Sequence, residues 1–340
     1  MLRQYAASAR VPALRRLRSF ANTLTAWDEI NGPQLEYGSE TWLIGGRLDR
    51  SRTDVAKYTG CAKPGTIRLL PKRRTESSRL RRVVTGFMLG AMELPGDFQF
   101  DFKQKRALVT GAGKGIGREI ATMLHRFNAR VIALSRTEKD LESLKDQIGC
   151  ETILAELEDP NATRQAAERA GEVDLLVNNA AIAILEPFLK TTVAAWDKTM
   201  AVNLRAVMII SQVVANQMIE RGVAGSIVNV SSMSSFQALP DHAAYAASKA
   251  GLDQLTAVMA VELGKHRIRV NSVNPTVVLT DMGKRAWSDP AKGGPMLARI
   301  PLRRFAECED IASVVCFLLT DGAAMLNGLA LRIDGGFLVT

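Results

Sequence analysis

Tyr245 and Lys249 stand four residues apart in the alanine-rich stretch Ala243-Ala244-Tyr245-Ala246-Ala247-Ser248-Lys249-Ala250-Gly251-Leu252. Alanine favours helix, and helical residues four apart share a face, which brings an ammonium close to a phenol. A free tyrosine titrates near pH 10, too high for easy proton exchange at neutral pH. A neighbouring lysine cation is expected to stabilise the phenolate and lower that value. Ser232 follows the apolar run Ile227–Val230, where its hydroxyl could hold a substrate oxygen, and Asn203, in a helical stretch, could hold a water that relays protons to Lys249. Singly, each is ordinary: a Tyr/Lys pair on a helix is usually surface decoration, and a serine after a strand usually a turn residue.

A second group of residues suits an anion. The run Arg106–Val109 leads straight into Thr110-Gly111-Ala112-Gly113-Lys114-Gly115-Ile116-Gly117, followed by a helical pattern through about Phe127. Glycines permit a sharp turn and let backbone approach a pyrophosphate. The helix start beyond them offers free N–H groups and a favourable dipole. Glycine clusters also serve plain turns, but between a strand and a helix dinucleotide binding is the stronger reading. Ser135-Arg136-Thr137 closes the next apolar run with no acid before Glu138. An acid there would bind a ribose 2′-hydroxyl and repel a 2′-phosphate. Arg136 can instead pair with a phosphate, and Lys114 adds a second cation, so NADP(H) is the expected cofactor.

The elements that must position these groups follow from periodicity. Short Val/Ile/Leu-rich runs at Ala107–Val109, Val131–Leu134, Ile153–Leu154, Leu175–Val177, Ile227–Val230, Ile268–Val273 and Leu329–Ile333 alternate with segments of helical spacing. Apolar strands alternating with helices predict an α/β fold, a Rossmann-like doubly wound seven-stranded parallel sheet with helices on both faces. It spans residues 97–340.

Residues 1–96 are of different texture. They hold 17 Lys and Arg against 8 Asp and Glu, so the net charge of +9 lies wholly in this extension and the remainder is neutral. The basic balance therefore gives no support to nucleic-acid binding by the main domain. The first 27 residues contain no acid, with Arg3, Arg10, Arg15, Arg16 and Arg18 among apolar residues. That composition fits a mitochondrial transit peptide, which would place the protein in the matrix, or a plain basic tail, which would leave it cytoplasmic. From Asp28 to about Asp97 no period persists, and a largely irregular segment is expected. No integral membrane segment is expected, because the longest apolar runs, near Val83–Met92 and Ala206–Ala215, fall short of the roughly 18 residues a span needs or are interrupted by Ser and Gln. Cys61, Cys150, Cys308 and Cys316 form no C-x-x-C pair, and the three histidines are scattered, so reduced thiols and no metal site are expected.

The joint pattern Thr110–Gly117, Asn178-Asn179-Ala180-Ala181, Asn203, Ser232 and Tyr245-x-x-x-Lys249 resembles the short-chain dehydrogenase/reductase family, with Ser232 and Tyr245 at the family's usual separation. The likeness covers 99–340. It implies that Tyr245 protonates a carbonyl oxygen as hydride arrives, that Lys249 lowers its pKa and holds the nicotinamide ribose, that Ser232 orients the carbonyl, and that Asn203 supports a proton relay. For NADPH it implies contacts from Gly111, Lys114, Gly115, Ile116, Gly117, Arg136, Thr137, Asn178 and Ala180. Glu156 and Leu157 would lie near the adenine, where the family commonly has Asp at the first of these positions. Pro275, Val278 and Thr280 would line the carboxamide loop, in which Thr276 replaces a common glycine.

Thr110–Arg118, Asp174–Ala181, Val202–Ala206, Val273–Thr280 and Trp287-Ser288-Asp289-Pro290 further resemble the branch of the family that reduces L-xylulose and α-dicarbonyls and its tetrameric NADPH carbonyl reductases. This implies a small carbonyl substrate such as diacetyl or a short sugar, a homotetramer, and a pocket lined by Ser232, Met233, His242 and Trp287. Met233 stands where the sugar reductase has a polar glutamine, which favours less polar carbonyls. Reduction of 3-oxoacyl thioesters and a non-catalytic NADPH-binding module are the alternatives.

Overall fold

The computed structural model describes residues 34–37, 40–43 and 100–340. The transit-peptide reading of residues 1–27 and most of the irregular segment after them lie outside the described residues. The chain divides into two units, Met1–Gly86 and Phe87–Thr340. In the first, β1 (Gln34–Tyr37) pairs antiparallel with β2 (Glu40–Leu43), Gln34 opposite Leu43. Neither QLEY nor ETWL contains a continuous apolar run, so no strand was legible there.

The second unit is built on strands β3 (Arg106–Thr110), β4 (Arg130–Ser135), β5 (Glu151–Leu154), β6 (Leu175–Asn178), β7 (Ser226–Val230), β8 (Arg269–Pro275) and β9 (Ala330–Ile333). Every apolar run expected as a strand is one, with ends moved by one or two residues. The strands pair in parallel in the order β5-β4-β3-β6-β7-β8-β9. Because both faces are covered, the strands read as continuous apolar runs. Leu108 packs on one face with Ile132, Leu176 and Ile227, while its neighbours Ala107 and Val109 pack on the other with Val131, Leu175 and Val177.

The helices are α1 (Gly115–Arg126), α2 (Glu138–Ile148), α3 (Pro160–Arg169), α4 (Val193–Met200), α5 (Ala206–Glu220), α6 (Ala243–Gly264), α7 (Asp281–Trp287), α8 (Pro290–Ala298) and α9 (Cys308–Leu319). On one face α1 and α9 bury Ile120, Leu124, Ile311 and Val315; on the other α3, α5 and α6 bury Ala166, Ile210, Val214 and Ala260. Among the described residues one helical run, Val193–Glu220, is long and apolar enough to cross a membrane, and 61% of its most apolar window is buried. Ile210, Val214 and Met218 from this run are in the core of the sheet, which accounts for its hydropathy. The strand order reverses between β3 and β6, and ligands of such sheets bind in the crevice this opens beyond the carboxyl ends of the strands.

Candidate active site

The end of β3 builds one wall of that crevice. Gly111 (φ 65°) and Gly115 (φ 58°) occupy the left-handed region that glycine alone adopts without strain. Gly117 has a different reason to be glycine: a Cβ there would lie 2.3 Å from the Gly111 carbonyl oxygen and 2.4 Å from Asn179 Nδ2. Asn179 Nδ2 donates to the carbonyls of Thr110 (3.0 Å) and Gly111 (3.2 Å), and the Asn179 and Ala180 amides donate to Thr110 Oγ1 at 3.0 and 3.1 Å. The loop is thus clasped to the end of β6. Thr110 and Asn179 were quoted in the sequence motifs without a role. A polar residue closing each of two neighbouring buried strands was the available signal.

Lys114, at the N-cap of α1, is extended and has no side-chain oxygen to cap the helix, so it leaves the first backbone N–H groups of α1 to other acceptors. Ile116 packs against the core that α1 and α9 form on their face of the sheet. Lys114, Arg136 and Thr137 are exposed, and among the described residues neither cation is paired with an acid. Across the crevice, a Cβ on Gly115 would touch Thr280 Cγ2 at 3.1 Å, so the glycine loop meets the segment after β8. That segment starts at Pro275 and is pinned by Ala306, whose amide donates to the Val277 carbonyl (3.0 Å) and whose carbonyl accepts from Leu279 (2.8 Å). Val278 is buried, and Thr280 Oγ1 caps α7 by accepting from the Gly283 amide at 3.0 Å. The backbone donors of the helix start, a cradle that excludes side chains and two cations with no acid partner among the described residues fit a nicotinamide dinucleotide.

Three residues expected at the cofactor are placed less directly. Asn178 turns its side chain into the sheet, where Nδ2 donates to Ser211 Oγ (3.0 Å) and Asn229 Oδ1 (2.9 Å). Only its backbone is available to the crevice. Leu157 is buried in the core beneath α3, α5 and α6, while Glu156 is exposed.

Ser232, Tyr245 and Lys249 converge at the carboxyl end of β7, and Asn203 reaches the same helix through Ser248. Lys249, buried on α6, donates from Nζ to the Val230 carbonyl at 2.8 Å and lies 5.7 Å from the centre of the Tyr245 ring. Burial pulls its pKa down to about 8, opposed by the carboxylate of Asp253 one helical turn on. The expected lowering of the Tyr245 pKa is not what the structure shows: burial raises it above the ordinary tyrosine value, and a hydrogen bond with the Ser232 hydroxyl offsets part of this. Desolvation is the larger of the two effects. Ser232 Oγ also accepts from the Ser234 amide (3.2 Å) and hydroxyl (3.0 Å).

Asn203 sits in a π-helical turn, Ala201–Arg205, where the regular helical ladder is interrupted. Its side chain is fully engaged: Oδ1 accepts from the Ile182 amide (2.8 Å), and Nδ2 donates to the Ile182 carbonyl (2.9 Å) and Ser248 Oγ (3.1 Å). It therefore anchors the loop after β6, and a relay water would have to use backbone.

Of the residues expected to line the substrate pocket, His242 precedes α6, with its ring 6.1 Å from that of Tyr245. Its Nδ1 lies 2.5 Å from the Pro240 carbonyl, which can only accept, so Nδ1 carries the proton and Nε2 presents a lone pair in the neutral ring. Trp287, at the end of α7, packs 6.5 Å from Phe305 with Lys292 over its ring. Met233 is buried with Val277, Met296, Ile300 and Phe337, and its sulfur accepts from Thr276 Oγ1 at 3.3 Å. It forms the floor beneath the α7–α8 segment.

The family model described as enoyl-(acyl carrier protein) reductase matches residues 111–338. L-xylulose reductase of Bos taurus is 56% identical over 237 residues, covering 69% of this chain and 97% of the relative. D-erythrulose reductase of Gallus gallus is 55% identical over 240 residues, covering 70% and 98%. A solved structure from Beutenbergia cavernae, described as an NAD(P)-dependent gluconate 5-dehydrogenase with bound NADP, superposes with a TM-score of 0.68 at 35% identity. It covers 71% of this chain and all of its own.

Proposed function

The chain belongs to the short-chain dehydrogenase/reductase family, and from that premise we propose that it reduces small carbonyl compounds to alcohols with NADPH, its substrates being α-dicarbonyls such as diacetyl and short ketoses of the L-xylulose type. The observation that carries this reading is the convergence of Ser232, Tyr245 and Lys249 at one strand end, bordered by a loop suited to a dinucleotide. When bound, NADPH supplies the hydride that adds to the carbonyl carbon. Tyr245 gives its phenolic proton to the carbonyl oxygen, and its raised pKa keeps that proton in place at neutral pH until the oxygen becomes basic. Ser232 orients the same oxygen through its hydroxyl. Lys249 remains largely charged at neutral pH, steadies the phenolate left behind and holds the nicotinamide ribose. Lys114 and Arg136 favour NADPH over NADH by pairing with the 2′-phosphate.

The ketose half of the substrate range is supported by His242, whose free ring nitrogen can accept a hydrogen bond from a hydroxyl beside the reacting carbonyl. The names of the relatives, reductases of two ketoses, agree with this. Reduction of 3-oxoacyl thioesters is a second reading, favoured by the acyl-carrier description of the matching family model. A homotetramer is supported by apolar residues left exposed on α5 and α6, among them Met208, Val258 and Val261. Residues 1–27 would direct the chain to mitochondria if they act as a transit peptide and leave it in the cytoplasm otherwise.

The test is NADPH oxidation by the purified chain with diacetyl, L-xylulose, D-erythrulose and acetoacetyl thioester, each repeated with NADH. Turnover of the first three with NADPH, and slower turnover with NADH, is expected. Thioester reduction alone would transfer the assignment to the second reading.

A further inference from the structure

Asp253 lies on α6, four residues beyond Lys249 and eight beyond Tyr245, so all three lean toward one side of the helix. Both of its carboxylate oxygens are bonded by β8: Oδ1 accepts from Ser272 Oγ at 2.8 Å, and Oδ2 accepts from Asn274 Nδ2 at 2.7 Å. Ser272 and Asn274 are completely buried. The same Asn274 nitrogen contacts the Ser232 carbonyl (3.2 Å) and Ser235 Oγ (3.0 Å), while Ser235 Oγ donates to the Ser232 carbonyl at 2.8 Å. The orientation of the amide is fixed, because turning it over would set Oδ1 against a carboxylate and a carbonyl at once.

Resting on the functional reading above, we propose that Asp253 is a positioning residue: through Asn274 it fixes the backbone of Ser232 against the helix that carries Tyr245 and Lys249. Val230 and Ser231 are already tied to α6, through Lys249 Nζ to the Val230 carbonyl at 2.8 Å and Ser231 Oγ to the Lys249 carbonyl at 3.2 Å, and the Asp253–Asn274 chain adds the bond that reaches Ser232 itself. A buried carboxylate–amide–carbonyl chain makes the placement of Ser232 against α6 a property of the fold rather than of the bound ligands. Asp253 has a second effect on the same group. It is the charge that opposes the desolvation of the Lys249 ammonium. Charged residues on the other elements packed against α6 are directed elsewhere: Lys198 pairs with Glu158, Arg205 reaches the Glu158 carbonyl, Arg269 binds the carbonyls of Leu318, Thr320 and Ala323, and Asp197 lies in the exposed groove beside Arg205.

The experiment compares the full chain with Asp253→Asn and Asp253→Glu, following diacetyl reduction and, by fluorescence, NADPH affinity from pH 6 to 10. Asp253→Asn should lower kcat by about tenfold to a hundredfold, the cost of a small misplacement of reacting groups, with KM changed far less. It should also move the alkaline limb of both profiles to lower pH. Asp253→Glu keeps the charge but not the fit, so its limb should stay at the wild-type position while kcat falls by an intermediate factor. Unchanged kcat and limb in Asp253→Asn would overturn the proposal. So would equal losses in both variants with neither limb moved, the mark of packing damage alone. If Asp253→Asn does not fold, Asp253→Glu decides: wild-type kcat and KM in that variant overturn the positioning role. A wild-type chain that reduces no carbonyl would refute the functional reading instead, and the NADPH-affinity profiles would still show whether Asp253 governs Lys249.

Discussion

Lys249 Nζ donates to the carbonyl of Val230 at 2.8 Å, so helix α6, which carries Tyr245, is tied to the strand from whose end Ser232 projects. The bond holds the ammonium in a buried site 5.7 Å from the centre of the Tyr245 ring, where desolvation lowers the pKa of the lysine and raises that of the phenol.

The pH dependence follows. Lys249 loses its proton above about 8, against 10.5 for a free lysine. kcat/KM for NADPH reports groups of the free enzyme and should fall above that pH. For stability the sign is opposite. In the window from about 8 to 10.5 the unfolded chain holds the proton and the folded chain does not, so this group makes the fold gain stability as pH rises. Denaturant titrations across that window should show a flatter rise for Lys249→Met than for the wild type.

Gly117→Ala tests the glycine loop. A Cβ would meet the Gly111 carbonyl and the Asn179 amide at distances no real contact tolerates. The variant should lose about 1 to 3 kcal/mol of stability, as overpacked sites do, with NADPH affinity falling in parallel. Unfolding curves and fluorescence titration measure the two separately.

Arg136→Ala should weaken NADPH binding by about tenfold to a hundredfold, equivalent to one charge-assisted contact, and leave NADH almost unchanged. Equal losses for both cofactors would mean that Arg136 supports the loop and does not read the phosphate.

His242→Ala should raise KM for L-xylulose by about fivefold or more, the effect of one lost hydrogen bond, and leave diacetyl nearly unaffected. Diacetyl has no hydroxyl to offer the Nε2 lone pair. The ratio of the two KM changes is the measurement.

Much of this site was legible in the sequence because its signals are local. Val109 to Gly117 is one continuous strand–turn–helix, and Tyr245 and Lys249 are four residues apart on one helix. What the sequence concealed depends on contacts between distant segments. Asn178 and Asn179 are adjacent, yet one faces the sheet interior and the other clasps the glycine loop, a division that only strand register decides. Asp253 and Asn274 are 21 residues apart and meet only because α6 crosses beside β8. The direction of the Tyr245 shift was likewise hidden, since helical spacing reveals a neighbouring cation but not the extent of burial.

The central claim is that Tyr245 supplies the proton in a carbonyl reduction. Tyr245→Phe tests it most directly, by single-turnover NADPH oxidation with diacetyl after NADPH binding has been measured for both proteins. The account predicts nearly intact binding and a rate lower by about a hundredfold to ten-thousandfold, the usual contribution of a positioned acid. A rate within a fewfold of wild type would contradict it and place the proton donor elsewhere in the crevice.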